Sequence, residues 1–207
     1  DLLDNIPSEL IAGDSAVQQT REQERLYLDS GDTLRAFTFY VRWMAYQVDH
    51  GNQLQFGRDL EPYVKFAMHH EKFGEHYLYQ YLYGLHQSLK GNHKSSLEHL
   101  LLSENGIAAH HEEFLENLYY EVNNNFLRMT DFEGATEYAL KNLELNEKRE
   151  DKQGILSARL MMATCFSRQN RFEEASRQRS RAAALANETG EYGQLILIFA
   201  NNAIDER

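Results

Sequence analysis

Residues 159–182 read RLMMATCFSRQNRFEEASRQRSRA, and this stretch decides the fold. Its first half places apolar residues at three-residue steps, which indicates one face of an α-helix. Asn170 follows, and asparagine tolerates the left-handed backbone conformation that ends many helices. Phe172 and Ala175 then open a second helix, and we expect the aromatic ring to fill the gap between the two helices. The apolar positions of the first helix are Leu160, Ala163 and Phe166.

The same pattern recurs three times earlier in the chain. A matching stretch turns at Thr130, and two others turn at Gly91 and Gly51. With Asn170, the four turn positions are 40, 39 and 40 residues apart. Self-similarity at such a period is typical of arrays of small structural repeats. The sequence therefore predicts a stack of helical hairpins.

These hairpins resemble the tetratricopeptide repeat (TPR) family, in the long-period form found in bacterial signalling proteins. A TPR unit places a large–small residue pair, an aromatic residue, a turn, a second aromatic residue and further small residues. The resemblance implies an all-α fold, a right-handed superhelical array of antiparallel helix pairs. The matching residues are Met162-Ala163, Phe166, Asn170, Phe172, Ala175 and Ala182; Val122-Asn123, Phe126, Thr130, Phe132, Ala135 and Ala139; Tyr83-Gly84, Gly91, His93 and Ser96; and Trp43-Met44, Gly51 and Gln53.

The repeat register also predicts how the chain is divided. Residues 1–31 are expected to form an N-terminal helix that caps the array, because terminal repeats must hide an apolar face. Residues 32–189 form four hairpins, and residues 190–207 begin a fifth, truncated one. The chain is expected to be a piece of a longer protein.

Two local features test this register. Residues 77–83 alternate tyrosine with other residues, as a strand does, but their place in the repeat predicts a helix. Ala135 and Ala175 are expected where paired helices cross closely, since alanine lets two backbones approach.

Composition and charge exclude several classes of function. The net charge of −11 opposes direct binding of nucleic acid, which requires a basic surface. No apolar run approaches the roughly 20 residues that span a bilayer, and no signal peptide is visible. The single cysteine, Cys165, lies in an apolar stretch and is expected to be a buried small hydrophobe. We expect a cytoplasmic protein with no membrane partner.

No constellation of catalytic residues is evident, and no cofactor is expected. All nine histidines lie between His50 and His111, and two pairs, His69-His70 and His110-His111, precede acidic residues. Stacked repeats could combine these pairs into a metal site. Surface histidines are the favoured interpretation, because both pairs fall at turns between repeats. A pH-responsive role and a metal-dependent enzyme are the less favoured alternatives.

The TPR resemblance implies that the first helix of each hairpin lines a concave face. An extended peptide could lie there, with Asn124 meeting its carbonyl groups and arginines meeting its acidic groups. The tyrosine excess of the middle hairpins supports a recognition surface. The residues expected on this face are Arg42, Tyr81, Tyr120, Asn124, Arg128, Thr164 and Arg168.

These observations favour a protein- or peptide-binding regulatory module of a larger bacterial signalling protein. Its effector would be a GGDEF diguanylate cyclase, a kinase or a transcription-regulator domain. The alternative is a pheromone-type peptide receptor, which the resemblance also implies. Two further alternatives concern the concave face: it stays empty while the array forms a homodimer, or the parent protein's own flanking segment fills it.

Overall fold

The computed structural model describes residues 22, 26, 29–32, 35, 76–191 and 193. The chain divides into two compact units, residues 1–73 and residues 74–207. The second unit contains most of the described residues, and its architecture follows. The predicted first hairpin with Arg42, the His69-His70 pair and nearly all of the predicted fifth unit lie outside the described residues. The predicted domain boundaries stay predictions.

Six α-helices follow one another between residues 76 and 191, and they pair into three hairpins. Each helix contacts the next one along the chain, and the first helices of neighbouring hairpins also touch. This arrangement confirms the predicted all-α array of helix pairs. The helices are α1 (Tyr77–Leu89), α2 (His93–His110), α3 (Leu115–Arg128), α4 (Phe132–Lys148), α5 (Lys152–Arg168) and α6 (Phe172–Thr189), with a 3-10 turn (Glu112–Phe114) between α2 and α3.

Left-handed residues end the first helix of each hairpin at the predicted positions. Gly91 has φ 77°, Thr130 has φ 61° and Asn170 has φ 60°. The amide after each of them donates to a carbonyl five residues earlier, as in Asp131 N to Phe126 O at 2.9 Å. This hydrogen bond satisfies a carbonyl at the helix end and reverses the chain. The predicted register is therefore confirmed in all three described hairpins.

Aspartates begin two of the helices. Asp131 accepts a hydrogen bond from Gly134 N at 3.0 Å, and Asp151 accepts one from Gln153 N at 3.0 Å. Each carboxylate satisfies an amide that has no partner inside the helix. Together with the left-handed turns, these caps fix the start of α4 and α5 to within a residue.

Small residues let the paired helices pack closely. Ala135 and Ala175 are completely buried, and both belong to one core cluster with Cys165 and Phe166. The predictions of close crossings and of a buried cysteine are confirmed. A Cβ atom on Gly84 would lie 2.7 Å from Leu100 Cγ, so the small residue of that hairpin is also required by packing.

The predicted role of Phe172 is wrong. Its side chain is 44% exposed at the start of α6 and does not fill the gap between α5 and α6. The guanidinium of Arg171 instead covers this end of the hairpin, with Cζ 4.5 Å from the centroid of the Phe166 ring. A cation over an aromatic face is a favourable contact.

Candidate functional site

A groove of about 450 Å³ runs along the first helices of the last two described hairpins, α3 and α5. The six residues that α5 contributes are spaced three, one, three, one and three apart, so they lie on one face of the helix. The buried floor is mostly apolar, and the exposed rim is mostly polar. The lining residues are Tyr120, Asn123, Asn124, Leu127, Gln153, Leu156, Ser157, Leu160, Met161, Thr164 and Glu191.

Three of the residues predicted for the concave face line this groove. Tyr120 is 45% exposed on its rim, and Asn124 lies one turn further along α3. Thr164 faces them from α5, where its hydroxyl donates to Leu160 O at 3.0 Å. Within residues 76–191, the amide of Asn124 makes no hydrogen bond, so it is free to bind a ligand.

Two predicted arginines lie beyond one end of the groove. Arg128 and Arg168 occupy the last positions of α3 and α5, each one turn past a lining residue, Asn124 or Thr164. Residues four apart lie on the same helix face. Both arginines are exposed, and neither forms an ion pair with the part of the chain that the structure describes.

Tyr81 does not belong to this surface. Its side chain is only 1% exposed, and its ring stacks on Phe114 with centroids 5.8 Å apart and planes 8° apart. Phe114 belongs to the 3-10 turn and covers Tyr81 from the next hairpin. The prediction that Tyr81 reaches a ligand is corrected for this reason, and Arg42 lies outside the described residues.

Buried polar groups fix the floor of the groove. Asn123 is buried and its amide donates to Ala135 O at 2.7 Å and to Cys165 Sγ at 3.3 Å. The thiol is buried, and burial raises its pKa, which favours the neutral form. Asn123 of α3 is thus bonded to both α4 and α5.

The other end of the groove is polar and acidic. Gln153 Nε2 donates to Glu191 Oε1 at 2.6 Å, which joins the start of α5 to the turn after α6. Neither residue was predicted from the sequence. Gln153 and Ser157 could have been found, because they continue the face of Leu160 and Thr164 at helical spacing. Glu191 could not, since it arrives from a turn 38 residues further along the chain.

The histidine pair that is described does not match the surface interpretation. His110 is exposed, but His111 is buried, and its ring lies 5.5 Å from Phe114. Burial, and then the nearby His111 and His110, lower the pKa of His76 at the start of α1. Among the described residues, no three His, Cys, Asp or Glu side chains are arranged to hold a metal ion.

No described helix has the length and apolar character required to cross a membrane. The sequence matches no protein-family model and no curated protein. Several solved structures do resemble the chain.

One is a signal transduction ATPase with numerous domains (STAND protein) with a tetratricopeptide repeat sensor, from Pyrococcus horikoshii. It superposes on 92% of this chain with a TM-score of 0.63 and 14% identity, and the chain spans 29% of its length. This likeness shows a TPR-like helical-repeat fold. A weaker match is BtubC from P. vanneervenii, with a TM-score of 0.47 and 14% identity over 100% of this chain and 91% of that one. Another is the apo form of RapI, with a TM-score of 0.37 and 11% identity over 91% of this chain and 76% of that one.

Proposed function

We propose that this chain is the protein- or peptide-binding regulatory module of a larger signalling protein. The groove between α3 and α5 would hold an extended segment of its ligand. The observation that carries this proposal is an open groove, apolar in its floor and polar on its rim, lined by residues of both first helices. Such a lining is typical of ligand sites, where a few polar groups fix orientation and apolar area supplies affinity.

The rim offers the contacts that an extended peptide needs. The amide of Asn124 can donate to one backbone carbonyl and accept from one backbone amide. Tyr120 supplies a half-exposed ring with a hydroxyl tip, a side chain enriched in recognition surfaces. The hydroxyl of Ser157 lies exposed on the opposite wall.

The regulatory part of the proposal is supported by the fold comparison. The similar repeats of the STAND protein form a sensor within a longer chain, of which this chain spans 29%. A cytoplasmic location, with an effector such as a nucleotide cyclase, a kinase or a DNA-binding domain, fits the single buried cysteine and the acidic surface.

Selection from peptide pools tests the groove. One pool offers randomised segments inside a carrier protein, and a second offers free short peptides. We expect Tyr120→Ala and Asn124→Ala each to weaken the binding of the retained ligands, and the double variant to weaken it about tenfold or more. The matched control is Leu140→Ala, since Leu140 is 43% exposed on α4 and does not line the groove.

Two results would contradict the proposal. The first is that neither pool yields a ligand whose binding depends on Tyr120 and Asn124. The second is that the control substitution weakens binding as much as the groove substitutions do. Light scattering on the same variants addresses the homodimer alternative: a stable dimer of the parent protein that the groove variants leave intact would place association on another face.

A further inference from the structure

A single charged residue lines the groove among those that the structure describes. Ten of the eleven lining residues are neutral, and the eleventh is Glu191. Its side chain is half-buried in the turn after α6. Gln153 Nε2 at the start of α5 donates to Glu191 Oε1 at 2.6 Å, which holds the carboxylate at the rim. From its described lining, the groove therefore offers a ligand one fixed negative charge and no positive one.

The carboxylate of Glu191 has no cation beside it within the described part of the chain. Glu104 and Glu174 are also half-buried, and each lies 3.0 Å from a cation, Lys141 or Arg171. Several exposed carboxylates lack a cation as well, but water hydrates them. A half-buried charge loses part of its hydration, so a cation supplied by a ligand would stabilise Glu191 more than it would an exposed carboxylate.

The charges around Glu191 leave this end of the groove negative. Lys152, the basic residue at the start of α5, bonds to Glu188 and not to Glu191. The carboxylate of Asp151 caps α5, which offsets the partial positive charge of the helix N-terminus. These four residues together carry three negative charges and one positive charge. Their field attracts a cationic group and repels an anionic one.

The floor beside Glu191 is apolar. Leu156 is buried, and Leu160 packs against it in a cluster with two buried alanines of α6. Gln153 and Leu156 are three residues apart on α5, which is about 4.5 Å along the helix axis. Lysine and arginine side chains lay their methylene groups along apolar surface while the charged end reaches a polar edge. An apolar floor that leads to a carboxylate on the rim fits this shape.

We propose that Glu191 selects a basic side chain, lysine or arginine, in the segment that binds the groove. The methylene groups of that side chain lie on Leu156 and Leu160, and its charged end pairs with the carboxylate of Glu191. This inference rests on the proposed function and names the chemical group of the ligand that the site recognises. A neutral or acidic side chain at the same place would leave Glu191 without a partner.

Substitutions in both partners test the pairing. Ligands are taken from the pool of segments inside a carrier protein, whose binding cannot depend on a free amino terminus. Each lysine or arginine of a retained segment is replaced in turn by methionine, which keeps an apolar chain and removes the charge. We expect one such replacement to weaken binding about tenfold in the parent protein and to have no effect in Glu191→Gln. If only free peptides bind, the same replacements are made on peptides with acetylated amino termini.

Charge reversal and a matched control complete the test. Glu191→Lys should favour segments with aspartate or glutamate at the position where the parent protein favours lysine or arginine. Glu144→Gln is the control, because Glu144 is exposed on α4, does not line the groove and loses the same charge. In this control the methionine replacement should still weaken binding about tenfold. Circular dichroism verifies that every variant keeps the parent helix content.

The outcomes separate this inference from the proposed function. If the methionine replacement weakens binding equally in the parent and in Glu191→Gln, the basic side chain pairs elsewhere and the inference is wrong. If no basic residue of a retained segment matters while Tyr120→Ala still weakens binding, the inference is wrong and the proposed function stands. If neither pool yields a ligand, the proposed function fails and this inference fails with it.

Discussion

Tyr81 and Tyr120 occupy the same position in successive hairpins, yet one is core and the other is surface. Each lies ten residues before the left-handed residue of its turn, Gly91 or Thr130. Tyr81 is 1% exposed and Tyr120 is 45% exposed. The position of a residue within the repeat therefore does not decide its burial.

The two tyrosines also differ in what the next hairpin provides at one repeat position. Phe114 precedes the turn at Thr130 by 16 residues, and its ring covers Tyr81. Gly154 precedes the turn at Asn170 by 16 residues, so it is the equivalent of Phe114 for Tyr120. Gly154 carries no side chain, and among the described residues no ring stacks on Tyr120 as Phe114 stacks on Tyr81.

Packing also keeps Gly154 a glycine. A Cβ atom there would lie 2.1 Å from Oδ1 of Asn146, which is completely buried. The amide of Asn146 is held by the backbone carbonyl of Asn142 at 2.9 Å, so this side chain cannot move aside freely. One connection between hairpins therefore supplies a ring that packs on the preceding first helix, whereas the other supplies a glycine that packs on Asn146.

The largest expected effect comes from the buried tyrosine. Tyr81→Ala should lower the free energy of unfolding by about 3–5 kcal/mol, because it removes a buried ring and leaves a cavity. Tyr120→Ala should change it by less than about 1 kcal/mol, as substitutions on the surface usually do. Urea denaturation of both variants measures the difference. Equal losses would mean that the two tyrosines share one environment.

The helix crossings should respond alike in both hairpins. Ala135→Leu and Ala175→Leu each add volume where the two helices of a hairpin cross closely. Each should lower the free energy of unfolding by about 1–3 kcal/mol. Ala184→Leu is the control, since Ala184 is exposed on α6. Thermal melting compares the three. If the two buried substitutions melt like the control, the shared register of the hairpins is wrong.

Adding one methyl group at Gly154 should cost about 1–2 kcal/mol, because the new atom overlaps Asn146. The better helix propensity of alanine offsets part of this cost. Ser157→Ala, on the exposed rim of the same helix, should be close to neutral. Denaturant titration compares the two variants. A Gly154→Ala protein more stable than the parent would show that the Asn146 side chain moves aside.

The smallest effect concerns pH. The pKa of His76 is lowered in the folded protein, so the unfolded chain binds more protons as the pH falls below about 6.5. Stability should therefore fall on acidification through that range. His76→Asn should reduce the fall, because asparagine can still accept a hydrogen bond from Leu78 N, as His76 Nδ1 does at 3.3 Å.

Melting temperatures at about pH 7.5 and about pH 5 measure this effect. His99 also has a pKa lowered by burial, so His76→Asn with His99→Gln should reduce the fall further. If the melting temperature falls equally on acidification in the parent and in both variants, the groups that cause the fall are not His76 and His99.

The features that were predicted from the sequence are those set by residues close together in the chain. The turns at Gly91, Thr130 and Asn170 and the crossings at Ala135 and Ala175 follow from local preferences and repeat period. Residues 77–83 form a helix despite their alternation, and the buried side chains of α1 belong to a helix that contacts α2 and α3.

Features that depend on contact between hairpins were not predictable. Phe114 covers Tyr81 from 33 residues away, and it also packs on His111, which was expected at the surface. Glu191 reaches the groove through a hydrogen bond to Gln153. No local pattern in the sequence reports which residue of the next hairpin will lie above a given position.

The most direct test of the central claim, that the groove between α3 and α5 holds the ligand, is photo-crosslinking. A retained peptide carrying a photoreactive residue at its centre is irradiated with the protein, and labelled residues are identified by mass spectrometry. The account predicts labels within residues 120–127 and 153–164, lost when unlabelled peptide competes. Labels confined to α2, α4 or α6, or unchanged by competition, would contradict it.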